Sequence, residues 1–278
     1  MLDLFEAGGK RIRPALVLLS AMVGRFDVAR VDPAAMAVEL THAATLVHDD
    51  VIDRAAVRRG RPTVAAKLGD EPAIVIGDFY FAKAYELAAR TENSEVVAIL
   101  ARAVMEICAG EVRQQSIRYR YSTDETEYMD RIEAKTAALL VACCDIGALL
   151  GGLDEIERGA LREYGRALGF AFQIADDVLD YTGTEGEVGK PIGHDLREGF
   201  ATLPLLLASV KLDDDRRLDE DDARRVIDEV RKSGGPEKAL EQARKHANAA
   251  REHLKPIRRS EATRALDSLT EYVVSRNL

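Results

Sequence analysis

A chain of 278 residues with a formal net charge of -9 lacks the basic surface that nucleic acids and anionic membranes require of a main partner. Hydrophobic residues make up 47% and charged residues 31%, which excludes a disordered chain and an integral membrane protein. Residues 1–6 carry acids where an export signal is basic, and the apolar run 137–150 is too short to span a bilayer. We therefore expect a cytoplasmic protein with no integral membrane segment.

Apolar residues recur at spacings of three and four with almost no alternating runs, which predicts an all-α fold. In chain order, the predicted helices are 14–23, 33–54, 72–90, 94–119, 123–150, 154–181, 201–212, 220–232, 236–254 and 261–275. Short connections without a Pro/Gly/Ser linker indicate one domain. The glycine-rich stretch 182–195 is too broken for a helix and is a candidate lid.

An aspartate cluster ends the second predicted helix. Asp49, Asp50 and Asp53 form a DDxxD pattern, and helical spacing places Asp49 and Asp53 on one stripe with His42. Like charges four residues apart repel, and burying them unpaired costs far more. A hard divalent cation with oxygen ligands would compensate for both effects. The cluster therefore predicts a metal site, with a helix-end or surface feature as the alternative.

A second DDxxD cluster lies in the segment 169–181. This segment is apolar nearly all round except for Gln173, Asp176, Asp177 and Asp180, so it reads as a buried helix whose carboxylates need partners. Two such clusters in one chain are a much stronger signal than one. Together they predict an enzyme that depends on Mg²⁺ and acts on diphosphate esters.

Basic residues stand near these acids. Lys10 and Arg13 follow two glycines just before a helix, an arrangement that binds anions, with a flexible basic start as the alternative. Arg58 and Arg59 follow the first cluster closely enough to share an anion with its metals. Lys135 either extends to solvent along an apolar face or points into a cavity.

Taken together, these segments resemble the trans-isoprenyl diphosphate synthases of the polyprenyl synthetase family, of the medium- or long-chain bacterial type. The matching segments are 8–14, 42–53, 58–60, 62–63, 77–78, 110–111, 135–136, 172–180 and 189–190. The resemblance implies a single-domain orthogonal helical bundle of the isoprenoid synthase type around a central cavity, over residues 1–278. Relatives usually have one or two further N-terminal helices, so we expect these to be missing or shortened here.

The function that this resemblance implies is a Mg²⁺-dependent head-to-tail (1'-4) condensation of isopentenyl diphosphate with an allylic diphosphate, which gives a trans-polyprenyl diphosphate. It implies three Mg²⁺, with Mn²⁺ as a possible substitute, on Asp49, Asp53 and Asp176, helped directly or through water by Asp50, Asp177 and Asp180. The implied allylic diphosphate ligands are Arg58, Lys135, Thr136, Gln173 and Lys190. Those for isopentenyl diphosphate are Lys10, Arg13, His42 and Arg59. For His42, a satisfied core histidine is the alternative.

The resemblance also bears on product length. In this family, side chains about one turn before the first aspartate form a floor that stops the growing chain, and here these are Ala44 and Thr45. Small residues leave the tunnel open, so we expect a product longer than farnesyl, of geranylgeranyl length or beyond. Phe200 departs from the pattern, because many members have a lysine there that contacts diphosphate.

Two rival functions stay open. The protein could be one subunit of a heteromeric synthase, although the homodimer is what the resemblance implies and both intact clusters favour a catalytic chain. A class I terpene cyclase uses similar metals on one substrate, but it has no use for the second anion site of Lys10, Arg13 and Arg59.

Overall fold

The computed structural model describes residues 10–58, 60–183 and 192–275. This part of the chain is helical with one minimal hairpin, which confirms the predicted all-α class. Its helices are α1 Ile12–Val23, α2 Val28–Ile52, α3 Val64–Leu68, α4 Asp70–Ala89, α5 Ser94–Ser116, α6 Glu125–Ile132, α7 Ala138–Leu150, α8 Glu155–Thr182, α9 His194–Arg197, α10 Leu203–Leu206, α11 Glu220–Lys232, α12 Gly235–His253 and α13 Glu261–Ser275. A π-helical turn, Glu133–Ala137, joins α6 to α7. The hairpin pairs β1 Val57–Arg58 with β2 Arg61–Pro62.

The chain forms two compact units. The first comprises the described residues up to Val104 together with Ala142–Leu161. Within it, α2 packs along α4 and against α1. Helix α2 begins five residues before its predicted start, because the Asp27 carboxylate caps it by accepting the Ala29 N–H at 3.0 Å. Pro33 therefore lies inside this helix rather than at its beginning.

The second unit comprises Met105–Val141 and the described residues from Arg162 onwards. The second half of α8 lies in its core. Apolar residues of α8 pack there against α6, α10 and α12, in a cluster of Tyr128, Ile132, Ile174, Ala175, Val178, Leu203, Ala239 and Ala243. The prediction that the helix of the second aspartate cluster is buried is therefore confirmed.

Two predicted helices differ from the structure. The helix predicted over 201–212 is wrong, since only Leu203–Leu206 is helical. Beyond it, the Asp214 carboxylate accepts the Tyr121 and Ser122 N–H groups at 2.7 and 2.8 Å, which holds the chain to a turn instead of a helix. The single helix predicted over 123–150 is interrupted by the π-helical turn, where the Ala138 N–H bonds to the Glu133 carbonyl.

None of the helices in the described ranges is long and apolar enough to cross a membrane.

Candidate active site

The first aspartate cluster lies at the C-terminal end of α2, in the first unit. Asp49 and Asp53 are partly exposed, whereas only 1% of the Asp50 surface is accessible. The Arg58 Nε, on β1, donates to Asp50 Oδ1 at 2.7 Å. Because a buried carboxylate needs a partner, this ion pair compensates Asp50 within the protein. Asp49 and Asp53 are thus the members of the cluster that solvent and ligands can reach.

The basic segment before α1 is anchored to α2. Arg11, the N-cap of α1, adopts a left-handed conformation with φ 48°, and its guanidinium forms an ion pair with Glu39. Glu39 lies one turn before His42 on α2. Lys10 is exposed, and Arg13 and His42 are partly buried. The Arg11–Glu39 pair therefore fixes the start of the segment that was predicted to bind isopentenyl diphosphate.

A close contact between α2 and α4 explains the matching glycine at position 77. The His48 Nε2 lies 3.1 Å from the Ile74 carbonyl oxygen and 3.5 Å from an Asp78 oxygen. A Cβ added to Gly77 would lie 2.2 Å from that same nitrogen. A side chain at position 77 would displace the imidazole next to Asp49, so glycine here preserves the observed position of His48.

The two residues of the predicted floor lie in the middle of α2. Ala44 is fully buried in an apolar cluster with Ala43, Val47, Ala73 and Tyr80. The Thr45 hydroxyl donates to the His42 carbonyl of its own helix at 2.8 Å. At Ala44 the side chain facing this cluster is therefore a single methyl group.

The second aspartate cluster lies on α8, in the second unit, and is divided in the same way as the first. Asp176 is partly exposed, while Asp177 and Asp180 are buried. Asp180 accepts the backbone N–H groups of His194 and Asp195, each at 3.1 Å. These two bonds fasten the start of α9 to the aspartate helix.

Asp177 is held by two side chains. The Tyr128 hydroxyl donates to its Oδ2 at 2.7 Å, and the Gln173 amide donates to its Oδ1 at 2.8 Å. Burial raises the pKa of Asp177 above its usual range and the nearby Asp195 charge raises it further, whereas the two hydrogen bonds and the Arg131 charge lower it. A nearby cation would stabilise the ionised form of this buried carboxyl group.

The predicted diphosphate ligands Lys135 and Thr136 lie on the π-helical turn. The Lys135 Nζ is 2.7 Å from Glu111 Oε2, and the Thr136 hydroxyl donates to Gln173 Oε1 at 2.6 Å. Two glycines pack closely against the turn. A Cβ on Gly110 would lie 2.8 Å from the Ala134 Cβ, and one on Gly169 would lie 2.7 Å from the Ala137 Cβ. Close helix packing thus positions this turn against the Gln173 and Asp177 side chains.

Phe200, the residue that departs from the pattern of the resemblance, is buried. Its ring lies 5.8 Å from the Arg118 guanidinium carbon, a cation–π contact. The Arg118 Nε donates to the Glu198 carbonyl at 2.7 Å. The ring therefore serves the packing of the segment that follows α9.

Several predicted site residues lie outside the described residues, namely Arg59, Lys190 and the glycines at 8 and 9, as does most of the candidate lid. Among the residues that are described, no three acidic, histidine or cysteine side chains converge as a complete metal-ligand set. Mg²⁺ usually takes one or two protein carboxylates, with substrate phosphates and water as its other ligands. The partly exposed carboxylates at 49, 53 and 176 fit that requirement.

Tyr128 and Glu39 contact the candidate site, yet neither was predicted from the sequence. Glu111 and His48 also contact it; they lie in the matching segments 110–111 and 42–53 but were given no role there. Tyr128 had a usable signal, because it precedes Lys135 by seven residues, two helical turns on the same face. Glu39 had one as well, since it precedes His42 by three residues. Both signals are ordinary helical spacing, which many other residues share. They point to Tyr128 and Glu39 only once the contacts of these two residues are known.

Comparisons with known proteins identify the family of this chain. The polyprenyl synthetase family model matches residues 1–242. The heptaprenyl diphosphate synthase component 2 of Geobacillus stearothermophilus is 47% identical over 74% of this chain and 65% of that protein. The geranylgeranyl diphosphate synthase of Methanosarcina mazei is 44% identical over 76% of this chain and 67% of that protein. The match thus spans about two thirds of the length of both relatives.

A solved structure is similar over the whole chain. The polyprenyl synthase from Caulobacter crescentus CB15, complexed with calcium and isoprenyl diphosphate, has a TM-score of 0.94 and 37% identity. The similarity covers 100% of this chain and 88% of that one. The chain therefore belongs to the polyprenyl synthetase family, and these three relatives are prenyl or polyprenyl synthases, a class of transferases.

Proposed function

We propose that this protein is a trans-polyprenyl diphosphate synthase and that both units belong to one catalytic domain. Its reaction would join C1 of an allylic diphosphate to C4 of isopentenyl diphosphate. One observation carries the proposal: each aspartate cluster is divided into partly exposed carboxylates and buried ones held by the protein. Asp49, Asp53 and Asp176 are partly exposed and can therefore be reached by a ligand, while Asp50, Asp177 and Asp180 are buried and hydrogen-bonded within the protein.

The proposed cofactor is Mg²⁺, three ions in all, with Mn²⁺ as a possible substitute. When bound, these ions would act as Lewis acids that neutralise the departing diphosphate. Asp50 and Asp180 support the site through their bonds to Arg58 and to the start of α9. The calcium in the Caulobacter structure is a hard divalent cation of the same type.

The substrates would be held by separate groups of residues. We assign the allylic diphosphate to Arg58, Lys135, Thr136, Gln173 and Lys190, and isopentenyl diphosphate to Lys10, Arg13, His42 and Arg59. The Lys135 contact with Glu111 fixes the ammonium on the π-helical turn. Lys10 is exposed, so an anion in solvent can reach its ammonium group.

The chemistry needs no side-chain nucleophile. The C1–O bond of the allylic substrate breaks, and the diphosphate leaves with the electron pair. The double bond of isopentenyl diphosphate then attacks C1 and forms the new carbon–carbon bond. Loss of a proton from C2 to the released diphosphate restores a double bond. The cations at the allylic site stabilise the negative charge that develops on the leaving oxygen.

The proposed product has geranylgeranyl length or is longer. Ala44 presents only a methyl group at the floor position, so nothing there stops a farnesyl chain. The names of the two relatives, a geranylgeranyl and a heptaprenyl synthase, fall within this range.

The proposed assembly is a homodimer. Helix α5 carries an exposed stripe of Met105, Cys108 and Val112, in which Met105 and Val112 have 63% and 72% of their surface accessible. Large apolar side chains at this spacing are typical of a surface that another helix covers. The alternative is a different partner chain, because the Geobacillus relative is named as one component of its synthase.

A diphosphate-release assay on the purified chain tests the function. With Mg²⁺, isopentenyl diphosphate and one of several allylic primers, we expect release only when both substrates are present, and none in EDTA. Release from the allylic substrate alone would favour a cyclase. An inactive chain that gains activity only with a second protein would support the heteromeric alternative, and its mass in solution would show which assembly forms.

A further inference from the structure

A buried tyrosine bonds to the second aspartate cluster from the neighbouring helix. Tyr128, on α6, has 1% of its surface accessible, and its hydroxyl donates to Asp177 Oδ2 at 2.7 Å. The ring packs in the apolar cluster around α8. When a bound cation keeps Asp177 ionised, this hydrogen bond is stronger than one between neutral groups, and its direction is fixed by the packing of the ring.

The same carboxylate is tied to the π-helical turn through its other oxygen. Gln173 donates to Asp177 Oδ1 at 2.8 Å and accepts the Thr136 hydroxyl at 2.6 Å. The four side chains therefore form a continuous chain of hydrogen bonds from α6 through α8 to the turn that carries Lys135. Two donors on different oxygens fix the plane of the Asp177 carboxylate.

We propose that Tyr128 is a positioning residue of the metal and diphosphate site, which holds Asp177 and, through Gln173, the Thr136 hydroxyl in one arrangement. The inference rests on the proposed function and adds a residue to it. An ionised carboxylate has about four acceptor positions, so two remain beside those that Tyr128 and Gln173 fill. These can receive a metal-bound water or a metal beside Asp176. Without the hydroxyl the carboxylate can rotate, and its remaining acceptor positions are no longer directed.

Tyr164 provides a matched control in the same unit. It is also fully buried, and its hydroxyl donates at 2.7 Å to the Leu266 carbonyl, a backbone group. Tyr128→Phe and Tyr164→Phe thus remove the same atom from sites of equal burial and equal hydrogen-bond length. Both changes keep the aromatic ring, so both proteins retain their apolar packing. Only the first change frees a carboxylate of the aspartate cluster.

The test measures thermal stability, which does not depend on turnover. The full chain and both variants are melted in EDTA and then in increasing Mg²⁺ with a constant excess of inorganic diphosphate. Loss of a residue that orients a metal ligand typically weakens metal binding by about 10-fold or more. We expect the half-saturating Mg²⁺ concentration to rise by about 10-fold in Tyr128→Phe, equivalent to about 1.4 kcal/mol, and to stay at the wild-type value in Tyr164→Phe.

A second measurement separates positioning from loss of stability. In steady-state assays of Tyr128→Phe, the Mg²⁺ dependence and the KM for the allylic diphosphate should rise, while the KM for isopentenyl diphosphate stays unchanged. The positioning role of Tyr128 would be wrong if both variants had the same half-saturating Mg²⁺ concentration while Mg²⁺ and diphosphate still stabilised the wild type. The proposed function would be unaffected by that result. A wild-type protein without any response to Mg²⁺ and diphosphate would overturn both.

Discussion

Replacing Ala44 with phenylalanine should shorten the product, and helix geometry predicts how the product length should change when the phenylalanine is moved along α2. Ala44 lies about 7.5 Å before Asp49 along α2. Ala37, another fully buried alanine, lies about 18 Å before Asp49 and on the same helix face as Ala44. The two positions are about 10.5 Å apart, two helical turns, and one isoprene unit is comparable to one turn of about 5.4 Å. An aromatic floor at Ala37 should therefore permit about two more isoprene units than one at Ala44.

The control for this series is Ala35→Phe. Ala35 is also buried, but nine residues separate it from Ala44, which places it on the opposite face of α2. Each phenylalanine overpacks the core at a cost of about 1–3 kcal/mol, so the melting temperatures of all three variants should fall. Chromatography of products from labelled isopentenyl diphosphate gives the chain lengths. The floor assignment is wrong if folded Ala44→Phe makes a product of wild-type length. It is also wrong if Ala35→Phe shortens the product as much as Ala44→Phe does.

Two further changes test the buried acids. The raised pKa of Asp177 means that the folded metal-free protein binds a proton more tightly than the unfolded chain, so stability from this group is present at acid pH and lost as pH rises. Asp177→Asn should therefore weaken the fall in unfolding free energy between about pH 4 and about pH 8 in EDTA, by about 1.4 kcal/mol for each unit of pKa difference removed. A pH dependence identical to wild type in urea denaturation would contradict this. Arg58→Ala leaves the Asp50 carboxylate buried without its cation and should cost about 3–5 kcal/mol. Adding Asp50→Asn should restore most of the loss, and an Arg58→Ala protein as stable as wild type would rule out the ion pair.

Helix periodicity was sufficient to predict the fold class and most helix bounds. The predicted helices 220–232 and 261–275 coincide with α11 and α13, since each has a clear apolar stripe and a clear start. The local sequence pattern predicted a helix wrongly where groups distant in the sequence form hydrogen bonds with the same segment. The helix predicted from 201 ends at Leu206 because the chain beyond it bonds to the turn at Tyr121. The sequence around residue 206 gives no sign of this contact with the turn at Tyr121.

The sequence proposed residues for the candidate site but not the contacts among them. Residue types and spacing singled out the two aspartate clusters, and the family resemblance implied the lysines and arginines assigned with them. They could not show that Arg58 pairs with Asp50, or that Thr136, Gln173 and Asp177 bond to one another. Those contacts depend on packing between helices, including a π-helical turn that no periodicity of 3.6 residues predicts.

The location of the bound cations tests the central claim most directly. Crystals grown with Mn²⁺ and inorganic diphosphate would show each ion by its anomalous scattering. The account predicts ions at about 2 Å from carboxylate oxygens of Asp49, Asp53 and Asp176, with the Tyr128 hydroxyl still bonded to Asp177. Diphosphate bound without any ion on these three aspartates would contradict it.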